Sequence, residues 1–114
     1  MGVDNMTKIV YGWKVEGYEQ VETLKEKLEA INEDYYDFDF FIEDTMCGNY
    51  FYFGAILGSY DAVWSPDEVI INDALSKRET NRYNRFIKDN PEIAKVLDEF
   101  KTGEPQLYVF QHIW

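Results

Sequence analysis

Cysteine is nearly absent from this 114-residue chain, which holds a single one, Cys47. No internal disulfide can form, which fits a reducing, cytoplasmic setting. Histidine is just as scarce, with His112 standing alone. The common zinc sites need several His or Cys ligands, so structural zinc is excluded. No apolar run approaches the roughly 20 residues a membrane span requires. The opening MGVDNMTKIV has no basic stretch followed by an apolar one, so no secretory leader is expected. Gly-x-Gly-x-x-Gly, Walker-type and Gly-x-Ser-x-Gly patterns are all missing. No motif asks for a cofactor.

Positive charge is the other scarcity. The chain has 22 acidic and 11 basic residues, a formal net charge of −11. Residues 1–75 hold 16 acids and 4 bases, whereas residues 76–114 hold 6 acids and 7 bases. Phosphate backbones are bound by clustered Lys and Arg. The acidic part therefore argues against direct nucleic-acid binding and against anionic membranes. It suits a protein partner of basic character. One local exception is Lys77, Arg78, Arg82, Arg85 and Lys88, with only Glu79 among them. On a helix Arg78, Arg82 and Arg85 share a face. They would either pair with the chain's own carboxylates or hold one small anion.

What the chain has in quantity is aromatic residues, at 18%. That content argues against disorder, and the length suits one domain over residues 1–114. In residues 7–15, Ile9, Tyr11, Trp13 and Val15 fall on one face at the period of a strand, with Lys8 and Lys14 on the other. Residues 18–33 read as a helix with Val21, Leu24, Leu28 and Ile31 in one stripe. Residues 35–44 alternate again. Tyr36, Phe38, Phe40 and Ile42 are expected to face inward, leaving Tyr35, Asp37, Asp39, Phe41 and Glu43 outside, because unpaired carboxylates are costly to bury. Turn residues at 45–49 then lead to a second run at 50–60, completing a hairpin. Gly54 and Gly58 in that run suggest a bulge or the close approach of another backbone.

Ser65-Pro66-Asp67-Glu68 has the chemistry of a helix start. The following pattern through Tyr83, Phe86 and Ile87 allows one helix or two. Asn90-Pro91-Glu92 starts another, with Gly103 expected to end it. Residues 107–114 form a last strand. The order β-α-β-β-α-α-β implies an α+β domain, with a four-stranded, mainly antiparallel sheet and helices on one face. It is the ferredoxin-like split βαβ order, or a variant of it. That fold hosts many activities and selects none.

Such a sheet leaves its second face to water or to a partner. Tyr35, Asp37, Asp39, Glu43, Tyr50 and Tyr52 are the expected binding surface, acidic and rich in tyrosine, a residue enriched at binding hot spots. Either Leu107, Val109, Gln111 and Ile113 or Tyr108, Phe110, His112 and Trp114 would join it. This predicts a non-enzymatic protein that engages a basic partner such as a nucleic-acid-binding enzyme. The analogy, in charge and size alone, is to the small acidic inhibitors of phages and mobile elements. The alternative is a homodimer, sheet against sheet, with a small-molecule or catalytic pocket between sheet and helices near His112, holding His112 or Tyr108.

Three smaller constellations complete the reading. Cys47 would be a nucleophile only if His112 met it at one end of the sheet. Asp37 and Asp39 would be an acid/base pair only if their surroundings separated their pKa values. Asn32, Glu33, Asp34 and Asp37 could hold a hard cation such as calcium or magnesium, but they lack the Asp-x-Asp-x-Asp-Gly spacing of an EF-hand loop. Each is otherwise an ordinary turn or solvated face.

Overall fold

The computed structural model describes residues 5–44, 47–61 and 73–113, with side-chain surroundings given for somewhat fewer of them. The first strand, β1, runs over Asn5–Glu16. Gly17 follows with a φ of 94°, a conformation that favours glycine, and turns the chain into α1, Tyr18–Ile31. Of the expected stripe Val21, Leu24 and Leu28 have no exposed surface, and Ile31 is partly buried against the same core. α1 ends at Asn32, which is extended at φ −151°.

β2 covers only Phe41–Glu43, and β3 covers Tyr50–Asp61. α2 spans Asp73–Asp89 and α3 Pro91–Phe100. The polar stretch within 76–82 thus continues one helix, because Tyr83 and Phe86 anchor its following turn in the core. The break falls at Asn90, where φ is −128° and ψ 68°. A residue before proline is driven out of the helical region, and Pro91 has no N–H to donate. α3 stops at Phe100, short of Gly103; the glycine lies in the next turn at φ 78°. β4 is Gln106–Ile113. The expected helix start at Ser65–Glu68 lies outside the described residues.

The strands form one antiparallel sheet in the order β2-β3-β1-β4. β3 lies between the two strands that α1 connects, which is the split βαβ arrangement. All three helices pack against one face of the sheet. There Ile9, Val15, Phe51, Phe53, Ala55 and Leu57 meet Val21, Leu24 and Leu28 of α1, Tyr83 and Phe86 of α2, and Ile93 and Leu97 of α3. On the other face Val10, Ile42 and Tyr52 form a second cluster with Tyr50, Ile56, Tyr108 and Phe110 packed against it.

Gly12 and Gly54 face each other in the β1–β3 ladder. A Cβ on Gly12 would lie 2.1 Å from the Phe53 carbonyl oxygen, and one on Gly54 would lie 2.5 Å from the Tyr11 carbonyl oxygen. This is the close backbone approach that glycines in a strand suggest. The register also shifts between Ile9 and Val10, which pair with Gly58 and Ile56. One β3 residue is therefore extra, as in a bulge.

Residues 35–40 depart from the expected strand. Tyr35–Asp37 is a single 3-10 turn. Its bonds are local: Asp37 N–H donates to the Asp34 carbonyl at 2.9 Å and Phe38 N–H to the Tyr35 carbonyl at 3.1 Å. The Asn32 side chain accepts from Asp34 N–H at 2.9 Å. Asn and Asp offer the backbone such local partners and so favour turns over ladders. The turn resets the alternation. Tyr35, expected outside, is buried at 2% exposure, whereas Tyr36, expected inside, is 58% exposed. In β2 the phase is inverted as well. Phe41 packs against the helix-side core and Ile42 lies on the opposite face.

Candidate functional site

The six residues expected to make one acidic, tyrosine-rich face are divided among three environments. Tyr35 is inside the helix-side core, where its ring meets Phe41 and Phe51 at centroid distances of 6.0 and 6.4 Å. Its hydroxyl donates to Glu43 Oε2 at 3.0 Å. Glu43 is half-buried on that same side and also lies 3.5 Å from Lys25 Nζ of α1. Burial pushes the Tyr35 phenol well above its ordinary range, and the Glu43 charge adds to it. These two residues tie β2 to α1; they do not face outward as a docking surface.

Tyr50 and Tyr52 occupy the opposite face, in the aromatic cluster. Tyr52 is buried at 5% exposure, contrary to the expectation that it stands open to a partner. Its ring stacks on Phe110 at 3.8 Å with 8° between planes, and it meets Tyr108 at 5.3 Å. β3 and β4 are not neighbours, so these contacts cross over β1. The rings cover one another, with Val10 wholly buried in the same cluster. Of the two alternatives for the last strand, Tyr108 and Phe110 are the pair on this face.

Asp37 and Asp39 are exposed, as expected, but they stand on the 35–40 turn and not on a strand. Asp34 is exposed beside them, and Tyr36 projects among them. The carboxylates of Asp34 and then Asp37 raise the Tyr36 phenol above its ordinary value, a local measure of negative potential. Sequence alternation hid Tyr36 by assigning it to the core. The two flanking aspartates were the available signal.

A groove of about 450 Å³ opens next to this turn, lined by Tyr36, Asp39, Phe41 and Ile42 together with Lys8 and Arg82. Arg82 is held there by carboxylates of its own chain. It lies 2.8 Å from Glu79 and 3.7 Å from Asp39, with its guanidinium 5.7 Å from the Phe40 ring centroid. Arg78 and Arg85 are exposed on α2. The expected arginine face therefore exists, and its central member is paired within the chain.

The β2–β3 connection is organised by Asp44, which is buried at 8% exposure. Its two carboxylate oxygens accept from Cys47 N–H at 3.1 Å and Asn49 N–H at 3.0 Å. Cys47 itself is exposed. The backbone of His112 pairs with Met6 in the β1–β4 ladder. Its side chain, and hence any pocket around it, lies outside the described residues. No grouping of His, Cys, Asp and Glu suited to a metal ion occurs among the described residues.

No family model, no curated protein and no solved structure matches this chain.

Proposed function

We propose that this chain is a non-enzymatic binding protein that engages a basic protein partner, in the manner of an inhibitor, through the acidic turn of Asp34, Tyr36, Asp37 and Asp39. The single observation that carries the reading is the placement of Tyr36, 58% exposed with carboxylates on both sides. An exposed tyrosine supplies contact area at low entropic cost, and the surrounding charge steers a cationic surface toward it. The net charge of −11 acts in the same direction and against a nucleic-acid ligand. Tyr35, Tyr52 and Glu43 support this site only indirectly, by holding β2 and β3 in place.

The test is capture of partners from native lysate at low and high salt, comparing the wild-type chain with Asp37→Lys/Asp39→Lys and Tyr36→Ala variants. The expected result is a basic protein retained at low salt, released as salt rises, and lost with either variant. Capture that is indifferent to both salt and the charge reversal would remove the acidic turn from the interface.

A further inference from the structure

The two edges of the sheet are built differently. β2 closes one side with three residues, of which Glu43 is charged, and Asp44 follows directly. β4 closes the other with eight residues, and its only strand neighbour among the described residues is β1. Long edge strands are ordinarily shielded by charge, proline, a bulge or a covering element. From Gln106 to Trp114 this chain has no Lys, Arg, Asp, Glu or proline, although 29% of its residues are charged. The β1–β4 ladder runs from Asn5↔Ile113 to Gly12↔Gln106 without a register shift, so no bulge turns the edge away. Among the described residues the helices do not cover it either. On their side of the sheet Leu107 is 50%, Val109 52% and Tyr11 38% exposed. Leu107 and Tyr11 are paired across the ladder, which makes the apolar strip continuous.

We propose that β4 pairs antiparallel with β4 of a second copy about a two-fold axis, joining the two sheets into one of eight strands. The occupant follows from charge. An uncharged edge offers a charged peptide nothing to recognise, while an identical uncharged edge matches it fully. Two copies each carrying −11 meet here without setting carboxylate against carboxylate. Antiparallel pairing of identical strands is its own two-fold and closes at two subunits, so it does not propagate into fibres. A register centred on Val109 opposes the two Val109 side chains directly and lays Leu107 of each copy along the same face. The inference does not rest on the acidic turn, which belongs to the opposite edge of the sheet.

Sedimentation velocity from micromolar to sub-millimolar protein tests it, with the wild type, Val109→Lys, Leu107→Lys and, as a control, Tyr18→Lys on α1. Tyr18 is 58% exposed, so the control removes an equally open apolar group elsewhere. The expected result is a species of twice the chain mass for the wild type and the control, strengthened by salt because salt screens the like charges. Both β4 variants should sediment as monomers with unchanged circular dichroism. Amide exchange along β4 in the wild type should slow as concentration rises. A wild type that is monomeric throughout, β4 exchange independent of concentration, β4 variants that dimerise normally, or a control that dissociates equally would each overturn the proposal. The salt dependence is opposite to that of partner capture, so failure of one reading is distinguishable from failure of the other.

Discussion

Tyr35 and Glu43 lie eight residues apart in the chain and join at 3.0 Å, phenol to carboxylate, between the 3-10 turn and β2. Lys25 of α1 reaches the same carboxylate at 3.5 Å. Hydrogen bonds to a charged, partly buried acceptor are worth about 1.5–3 kcal/mol, and Lys25 leaves Glu43 a remaining partner. Tyr35→Phe should therefore cost about 1–2 kcal/mol in urea unfolding, with the ring still packed. Glu43→Ala should cost more, because it also leaves the buried phenol without an acceptor. Equal stabilities for wild type and Tyr35→Phe would show that the bond contributes nothing.

Gly12 and Gly54 make a second prediction. Either alanine variant would bring a Cβ within 2.1–2.5 Å of a facing carbonyl oxygen, and Gly54 also has a φ of 142°. The central β1–β3 ladder would have to separate. Each substitution is expected to destabilise by about 2–4 kcal/mol, near the upper end for single changes. Thermal unfolding followed by circular dichroism checks this, with Gly103→Ala as a milder comparison. A Cβ at Gly103 meets nothing within 4 Å, although its φ is 78°.

Tyr83 presents the opposite case. It is buried at 6% exposure in the helix-side core, and its hydroxyl has no hydrogen-bond partner among the described residues. An unsatisfied buried hydroxyl costs about 1–3 kcal/mol. Tyr83→Phe should consequently leave stability unchanged or raise it, whereas Tyr83→Ala should lose several kcal/mol by opening a cavity. A substantial loss in Tyr83→Phe would mean that the hydroxyl is satisfied in solution.

Alkaline pH gives a fourth. Burial raises the phenols of both Tyr35 and Tyr83 above the ordinary tyrosine value of about 10. The folded chain thus holds these protons to higher pH than the unfolded chain does. Their contribution is complete below about pH 10 and is lost as pH rises beyond it, by up to about 1.4 kcal/mol per pH unit for each group. Denaturant midpoints should fall above pH 10 in the wild type. The fall should be shallower in a Tyr35→Phe/Tyr83→Phe double variant, and an identical decline in both would sink the assignment.

The same aromatic residues show where sequence reading succeeds and where it stops. Val21, Leu24 and Leu28 were legible as a buried helical stripe, because a spacing of three and four has one meaning in a cylinder. Phe51 and Phe53 alternate as a strand must. Residues 35–44 alternate just as well, but Asn32 and Asp34 divert the backbone into a turn: Phe38 and Phe40 still reach the helix-side core and Asp37 and Asp39 still face water, whereas Tyr35 and Tyr36 exchange places and Phe41 and Ile42 take the opposite faces. A period of two carries no phase once a turn interrupts it. Tyr52 illustrates a different gap. Its ring is covered by Phe110 and Tyr108, two strands away across β1. No local pattern contains that information.

By itself the sequence determined the α+β class, the element order, the net negative charge and the uncharged last strand. These depend on composition and on periods of a few residues, which chain geometry turns directly into helices, strands and charge. Tertiary structure alone decided that Tyr35 and Tyr52 are buried while Tyr36 is exposed, and that β4 is the edge strand of the sheet among the described residues. Those outcomes depend on strand register, on a turn that resets the phase, and on which elements come to lie side by side, and they arise only when distant parts of the chain pack together.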